Sequence, residues 1–188
     1  MGTTYCYDTE FLEDGHTIEL ISIGIVSDTG REYYAVNSDM PYERIQTRQW
    51  LCENVIPQLP LGGRPATVQR HTGTPAKWYW SLDLSDTRVK PRWVIANEVR
   101  EFLLAETEPV LWADYPAYDH VVLAQLWGSM INLPKGLPMR TRDIEQEIDR
   151  HPDFVRPTQG EGAHNALFDA RHNLTVLRAL RDYQAATA

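Results

Sequence analysis

Cysteine is scarce in this chain: only Cys6 and Cys52 occur among 188 residues, and neither belongs to a Cys-x-x-Cys pair. That argues against a disulfide scaffold and a cysteine-based zinc site, and it suits a reducing cytoplasm. Long apolar runs are missing too. No stretch approaches the roughly 20 residues that a membrane span needs, so no membrane partner is expected. The first ten residues meet an acid at Asp8 and show no basic-then-apolar pattern, so no export signal is expected. Internal repeats and low-complexity tracts are likewise lacking. Positive charge is in deficit, with 18 basic against 26 acidic residues and a net charge of −8. Spread evenly, that charge would disfavour a polyanionic partner, so the placement of the acids decides what it means. What is present is ordinary for a globular protein: 43% hydrophobic and 23% charged residues, in a length that fits one domain carrying an insertion.

Hydrophobic patterning predicts a mixed α/β fold. Residues 3–8 read as a short strand. Residues 17–27 are β-branched and apolar on both faces, through Ile21, Ile23 and Ile25, as in a strand covered on both sides. Residues 32–37 form a third strand, reached by an Asp28-Thr29-Gly30 hairpin turn. A helix is expected over 44–59, ended by Pro57 and Pro60. A second is expected over 94–105, with Val94, Val99, Phe102 and Leu103 facing inward. Then come a strand at 110–113 and a helix at 119–127. A Pro/Gly-rich stretch at 129–162 follows, with a short helix near 143–150. A last helix spans 165–183, with Leu167, Ala170, Leu174, Leu177 and Leu180 at helical spacing. This order describes a mixed sheet with helices on both faces.

Three groups of acids stand out. Asp8-Thr9-Glu10 falls where the first strand is expected to end, and alternation along an extended chain points both carboxylates to one face, where they can share an ion. Asp119 follows Tyr118 and opens a helix after the 110–113 strand, at the sheet edge where α/β folds gather their chemistry. His164 precedes the final helix, and Asp169 lies inside that helix among apolar neighbours, where a buried carboxylate needs a partner.

The order Asp-x-Glu, Tyr-Asp, His-x4-Asp resembles that of the DEDDh 3′–5′ exonucleases. The chain is most similar to their actinobacterial RNase AS group, through YDTEFLEDGHTIELISIGIV at 7–26, YDHVVLAQLWG at 118–128 and HNALFDAR at 164–171. The resemblance implies a ribonuclease H-like fold, with Asp8, Glu10, Asp119 and Asp169 as the acids of the metal site and His164 as the general base. It implies two divalent ions, Mg²⁺ or Mn²⁺, with Asp8 between them, Glu10 and Asp169 on the side of the attacking water, and Asp119 on the other. Asp114 is a rival for the second acid, but Asp119 alone follows an aromatic residue at a helix start. The chain departs from many relatives at Tyr115, where an Asn is common, and at Ser22, where a Glu is common. Phe11 and Leu12 stand where relatives contact the terminal nucleotide, although Phe11 reads equally well as core. His16 and Glu19 receive no role.

The implied reaction is 3′–5′ hydrolysis of single-stranded, adenylate-rich RNA to nucleoside 5′-monophosphates, by a homodimer. Because a basic imidazole must be neutral and ordinary imidazoles titrate near ~6.5, the rate is expected to fall below that pH. The alternatives are the same chemistry on DNA and a non-catalytic nucleic-acid-binding module on the same fold. The Pro-rich insertion at about 60–92 has six basic residues, Arg64, Arg70, Lys77, Arg88, Lys90 and Arg92, against Asp83 and Asp86, with Trp78, Tyr79 and Trp80 among them. Such a mixture suits single-stranded nucleic acid, or equally a loop anchored in the core by its aromatics. The net −8 thus divides into a locally +4 insertion and a remainder that includes the four site acids. With little other basic surface, nucleic acid should bind weakly without metal.

Overall fold

The computed structural model describes residues 2–63, 65–70 and 76–187, so Arg64 and Pro75 of the insertion lie outside the described residues. The long strands β1 (Thr4–Glu13) and β2 (Ile18–Ser27) pair antiparallel, and β3 (Glu32–Asn37) adds antiparallel to β2 through the expected hairpin turn. After the short helices α1 (Tyr42–Ile45) and α2 (Gln49–Asn54), the insertion contributes its own hairpin of β4 (Thr67–Gln69) and β5 (Lys77–Tyr79). The chain returns to the main sheet as β6 (Val89–Lys90), followed by α3 (Arg92–Leu104), β7 (Val110–Ala113), α4 (Ala117–Gln125), β8 (Arg142–Asp143), α5 (Ile144–Ile148) and α6 (Ala166–Thr187). The six-stranded order is β6-β3-β2-β1-β7-β8, with only β2 running against the rest. This is the mixed sheet of a ribonuclease H-like fold.

Alternation along the strands divides the core between the two faces. Tyr5, Tyr7, Ile23 and Ile25 meet α3 and α4 through Ile95, Val99, Leu103, Val122 and Leu123. Cys6, Val26 and Trp112 meet α6 through Ala170, Leu174 and Leu177. Further along that second face, Leu12, Ile21 and Val36 meet α2 through Leu51 and Cys52. The pairing steps from Glu10–Ser22 to Phe11–Leu20, so Ile21 is the extra residue of a β-bulge; the bulge lets Leu12 and Ile21 both enter this cluster.

Three expectations need correction. The first strand does not end near Asp8: β2 carries its pairing on to Glu13, whereas β7 pairs with it only through Cys6. Nor is 44–59 one helix. It breaks at 46–48, where the Gln46 carbonyl accepts the Trp78 N–H of the insertion (2.9 Å), and it ends in a 3₁₀ turn at Ile56–Gln58. The insertion is also shorter than 60–92, because Val89 and Lys90 pair with Val36 and Asn37 and Arg92 opens α3. Its aromatics serve mainly as anchors: Trp80 is buried against Tyr42, and Trp78 packs on the same cluster. Lys90 is paired with Glu98 of α3, which offsets one charge of the basic excess, while Arg88 is paired with Asp86 inside the insertion.

Candidate active site

The site forms where β1 outruns β7. Beyond Cys6 one edge of β1 has no strand beside it among the described residues, and Asp8 and Glu10 alternate onto the face covered by α6. Asp169 comes from the first turn of that helix. Two local devices set its position. The Asn165 side-chain oxygen accepts the N–H groups of Leu167 and Phe168 (3.1 and 3.3 Å), capping the helix start. Gly24, directly opposite Asp8 in β2, lets the helix backbone come so close that a Cβ there would lie 2.3 Å from the Ala166 carbonyl carbon and oxygen. Asp8, Glu10 and Asp169 consequently offer carboxylate oxygens within 4.8 Å of one another.

Asp119 approaches from the other face. It sits buried in the first turn of α4, and its Oδ1 accepts both the Thr9 N–H (2.9 Å) and the Thr9 hydroxyl (2.6 Å). It lies outside the three-carboxylate group, although its charge acts on both Asp8 and Glu10. Asp114, the rival acid, is held by Arg156 (2.7 Å). Ser22 stands opposite Glu10 in register, and its hydroxyl is buried with no hydrogen-bond partner among the described residues. Glu19, given no role above, pairs with Arg44, which also holds Asp14 of the β1–β2 turn; His16 is exposed in that turn.

These carboxylates are costly to ionise together. Burial, then the charges of Asp119, Glu10 and Asp169, raise Asp8 well above the usual carboxylate range. Burial, with Asp169 and Asp119, pushes Glu10 up to about 8, and burial pushes Asp119 up to about 6 against the opposing Thr9 hydrogen bonds. Asp169 is raised by burial, partly offset by the Gln159 amide. Clustered hard oxygen donors of this kind fit divalent ions such as Mg²⁺. A stability test follows. A raised folded-state pKa means that the folded chain holds the proton more tightly than the unfolded one. The resulting stabilisation is complete below the ordinary carboxylate pKa of ~4 and is lost as pH rises through about 8 for Glu10. With chelator present, Tm is expected to fall between pH 5 and 8, and Mg²⁺ or Mn²⁺ should raise it more at pH 8 than at pH 5. An equal ion effect at both values would contradict this electrostatic picture.

His164 adopts φ 67°, in the left-handed region, and its ring meets the Trp50 ring edge-on at 4.9 Å between centroids. Trp50 is 54% exposed and borders a groove of about 520 Å³, lined also by Phe11, Leu12, Arg48 and Gln49. Leu12 is itself buried in the core, whereas Phe11 is partly buried and packs on Tyr118 at 6.0 Å. Sequence reasoning missed Thr9, Trp50, Arg156 and Gln159. Only Thr9, wedged between two candidate acids, carried a local hint.

A family model for the Rv2179c-like 3′–5′ exoribonuclease domain matches residues 3–181. The chain belongs to that exoribonuclease family. It is also similar to two proteins named 3′–5′ exoribonuclease, Rv2179c of Mycobacterium tuberculosis H37Rv and MT2234.1 of strain CDC 1551 / Oshkosh. Each is 40% identical over 178 residues, which cover 94% of this chain and 92% of the relative. The exoribonuclease therefore acts on RNA as a phosphodiester hydrolase. No helix among its described residues is long and apolar enough to cross a membrane.

Proposed function

We propose that this exoribonuclease is a metal-dependent DEDDh enzyme of the RNase AS type, one domain that releases nucleoside 5′-monophosphates from single-stranded, adenylate-rich RNA in the cytoplasm. The observation that carries the reading is the convergence of Asp8, Glu10 and Asp169 within 4.8 Å, with Asp119 tied to the backbone between the first two. These four acids would hold two divalent ions, which supply Lewis-acid stabilisation and lower the pKa of an attacking water. His164 takes that water's proton. Thr9 engages Asp119 Oδ1, while Oδ2 makes no side-chain hydrogen bond among the described residues and would be the oxygen offered to an ion.

The groove beside His164 supports the substrate reading. Trp50 and Phe11 offer aromatic faces on which the terminal bases stack, and Arg48, which makes no ion pair among the described residues, offers charge to a phosphate. A homodimer belongs to the same reading; exposed Trp93, Met130 and Ile131 are apolar surface that a second copy would cover.

The test is digestion of 5′-labelled poly(A), poly(U) and oligo(dT), with Mg²⁺ or with chelator. A ladder is expected on RNA, strongest on poly(A) and abolished by chelator; degradation that survives chelation would refute the metal reading. His164→Ala should lower turnover by ~10²–10⁴-fold, the usual share of a general base, with Mn²⁺ binding retained. Full activity in that variant would remove His164 from the mechanism.

A further inference from the structure

The geometry points to Arg156 as a positioning residue, which clamps the irregular segment before the last helix and thereby sets the reach of His164. This rests on His164 being the base proposed above. Between α5 and α6 the chain has no regular structure, and residues 155–161 make no backbone–backbone hydrogen bond among the described residues. Side chains hold this stretch instead. Arg156 grips Asp114 with both terminal nitrogens, at 2.7 and 3.3 Å, and bonds Glu145 as well. Three residues on, the Gln159 amide donates to Asp169.

The partners of Arg156 are rigidly mounted. Asp114 directly follows β7, the strand that pairs with β1, and Glu145 lies in α5, whose Ile144 is fully buried. All three side chains are largely shielded, at 32, 25 and 19% exposure, so the pairing is not a freely solvated one. A planar guanidinium seated on two carboxylates fixes orientation as well as distance. His164 needs such a restraint. Its φ of 67° is unfavourable for a residue with a Cβ and persists only where the surroundings hold it. The start of α6 is held separately, by the Asn165 cap and the close approach to Gly24. Releasing Arg156 therefore loosens the stretch that leads to the imidazole at its far end, while the Gln159–Asp169 bond, the Gly162–Asn165 turn and the helix carrying Asp169 stay in place. The same grip keeps Asp114 engaged beside the candidate metal acids.

The experiment compares wild type, Arg156→Gln, His164→Ala and the double variant on 5′-labelled oligo(A), together with Mn²⁺ titration calorimetry and Tm. Arg156→Gln should lower kcat about 10- to 100-fold, as a misplacement of about 1 Å does, with KM changed less than about threefold. Mn²⁺ affinity should stay within about twofold. Because Arg156 acts through the base, adding Arg156→Gln to His164→Ala should slow that variant by less than about threefold. Arg156→Lys, which keeps the charge without the fork, should recover only part of kcat. If Arg156→Gln does not fold, Asp114→Asn takes its place and should give the same pattern. Retained kcat, a fall in Mn²⁺ affinity matching the fall in rate, or the same further loss in the His164→Ala background would overturn the inference. Full activity of His164→Ala alone is a separate failure, of the base itself.

Discussion

Asp8→Asn is expected to lower turnover by roughly 10³-fold or more and, in metal-free buffer at pH 8, to raise Tm. The two effects share one cause. Burial and the charges of Asp119, Glu10 and Asp169 make the Asp8 carboxylate costly to ionise, so an isosteric neutral amide relieves the folded protein of that cost. The same substitution removes one of the three carboxylates that would hold an ion in the proposed site. Lewis-acid stabilisation is worth several kcal/mol in such reactions, and ~4 kcal/mol corresponds to about 10³-fold in rate. Mg²⁺ or Mn²⁺ should then add little to Tm. Rate assays on oligo(A) and thermal melts with and without ion read both halves. A variant that keeps a tenth of wild-type turnover, or that melts lower without metal, would show that Asp8 is not the strained ligand described.

Gly24→Ala should be severely damaging for the addition of a single methyl group. The new Cβ would lie 2.3 Å from the Ala166 carbonyl carbon and oxygen and 2.4 Å from the Leu167 Cα, where ordinary contact begins near 3.4 Å. Both obstacles are backbone, so no rotamer relieves the clash. Helix α6 must move by about 1 Å, and α6 covers much of one face of the sheet. Overpacking of this kind costs about 3 kcal/mol or more, and Asp169 moves with the helix. Denaturant melts should show the lost stability, and calorimetry should show weaker Mn²⁺ binding. Gly30→Ala is the control: that site has open space within 4 Å and only its φ of 90° to oppose a side chain, so a loss of about 1 kcal/mol with normal Mn²⁺ binding is expected. Equal behaviour of the two variants would mean that the close helix–strand approach has no special role.

Part of this was legible in the residues themselves. Alternation put Asp8 and Glu10 on one face, and the structure has them there because β1 stays extended through both. The apolar spacing of the last helix identified Ala170, Leu174, Leu177 and Leu180, all buried. Element ends were harder. Nothing local in 44–59 announces the break at Gln46, since the group that claims its carbonyl is Trp78, 32 residues later in the insertion. The Thr9–Asp119, Gln159–Asp169 and Arg156–Asp114 contacts were invisible for a similar reason. The first and last join segments that meet only once the sheet order is set, and the last two start from a stretch without any periodicity.

By itself, the sequence determined the α/β class, the acids that stand at the sheet's edge, and the resemblance that carries exoribonuclease activity. Those are properties of local pattern: strand and helix periods are short-range, and motif order needs no third dimension. Only the tertiary structure gives the distances between these acids and the groups that hold them. It drew Asp169 to within 4.8 Å of the β1 pair, tied Asp119 to Thr9 from the opposite face, and engaged Asp114 with Arg156. Charge–charge and hydrogen-bond energies depend on distances of a few ångströms and on burial, and chain position specifies neither until the helices have closed on the sheet.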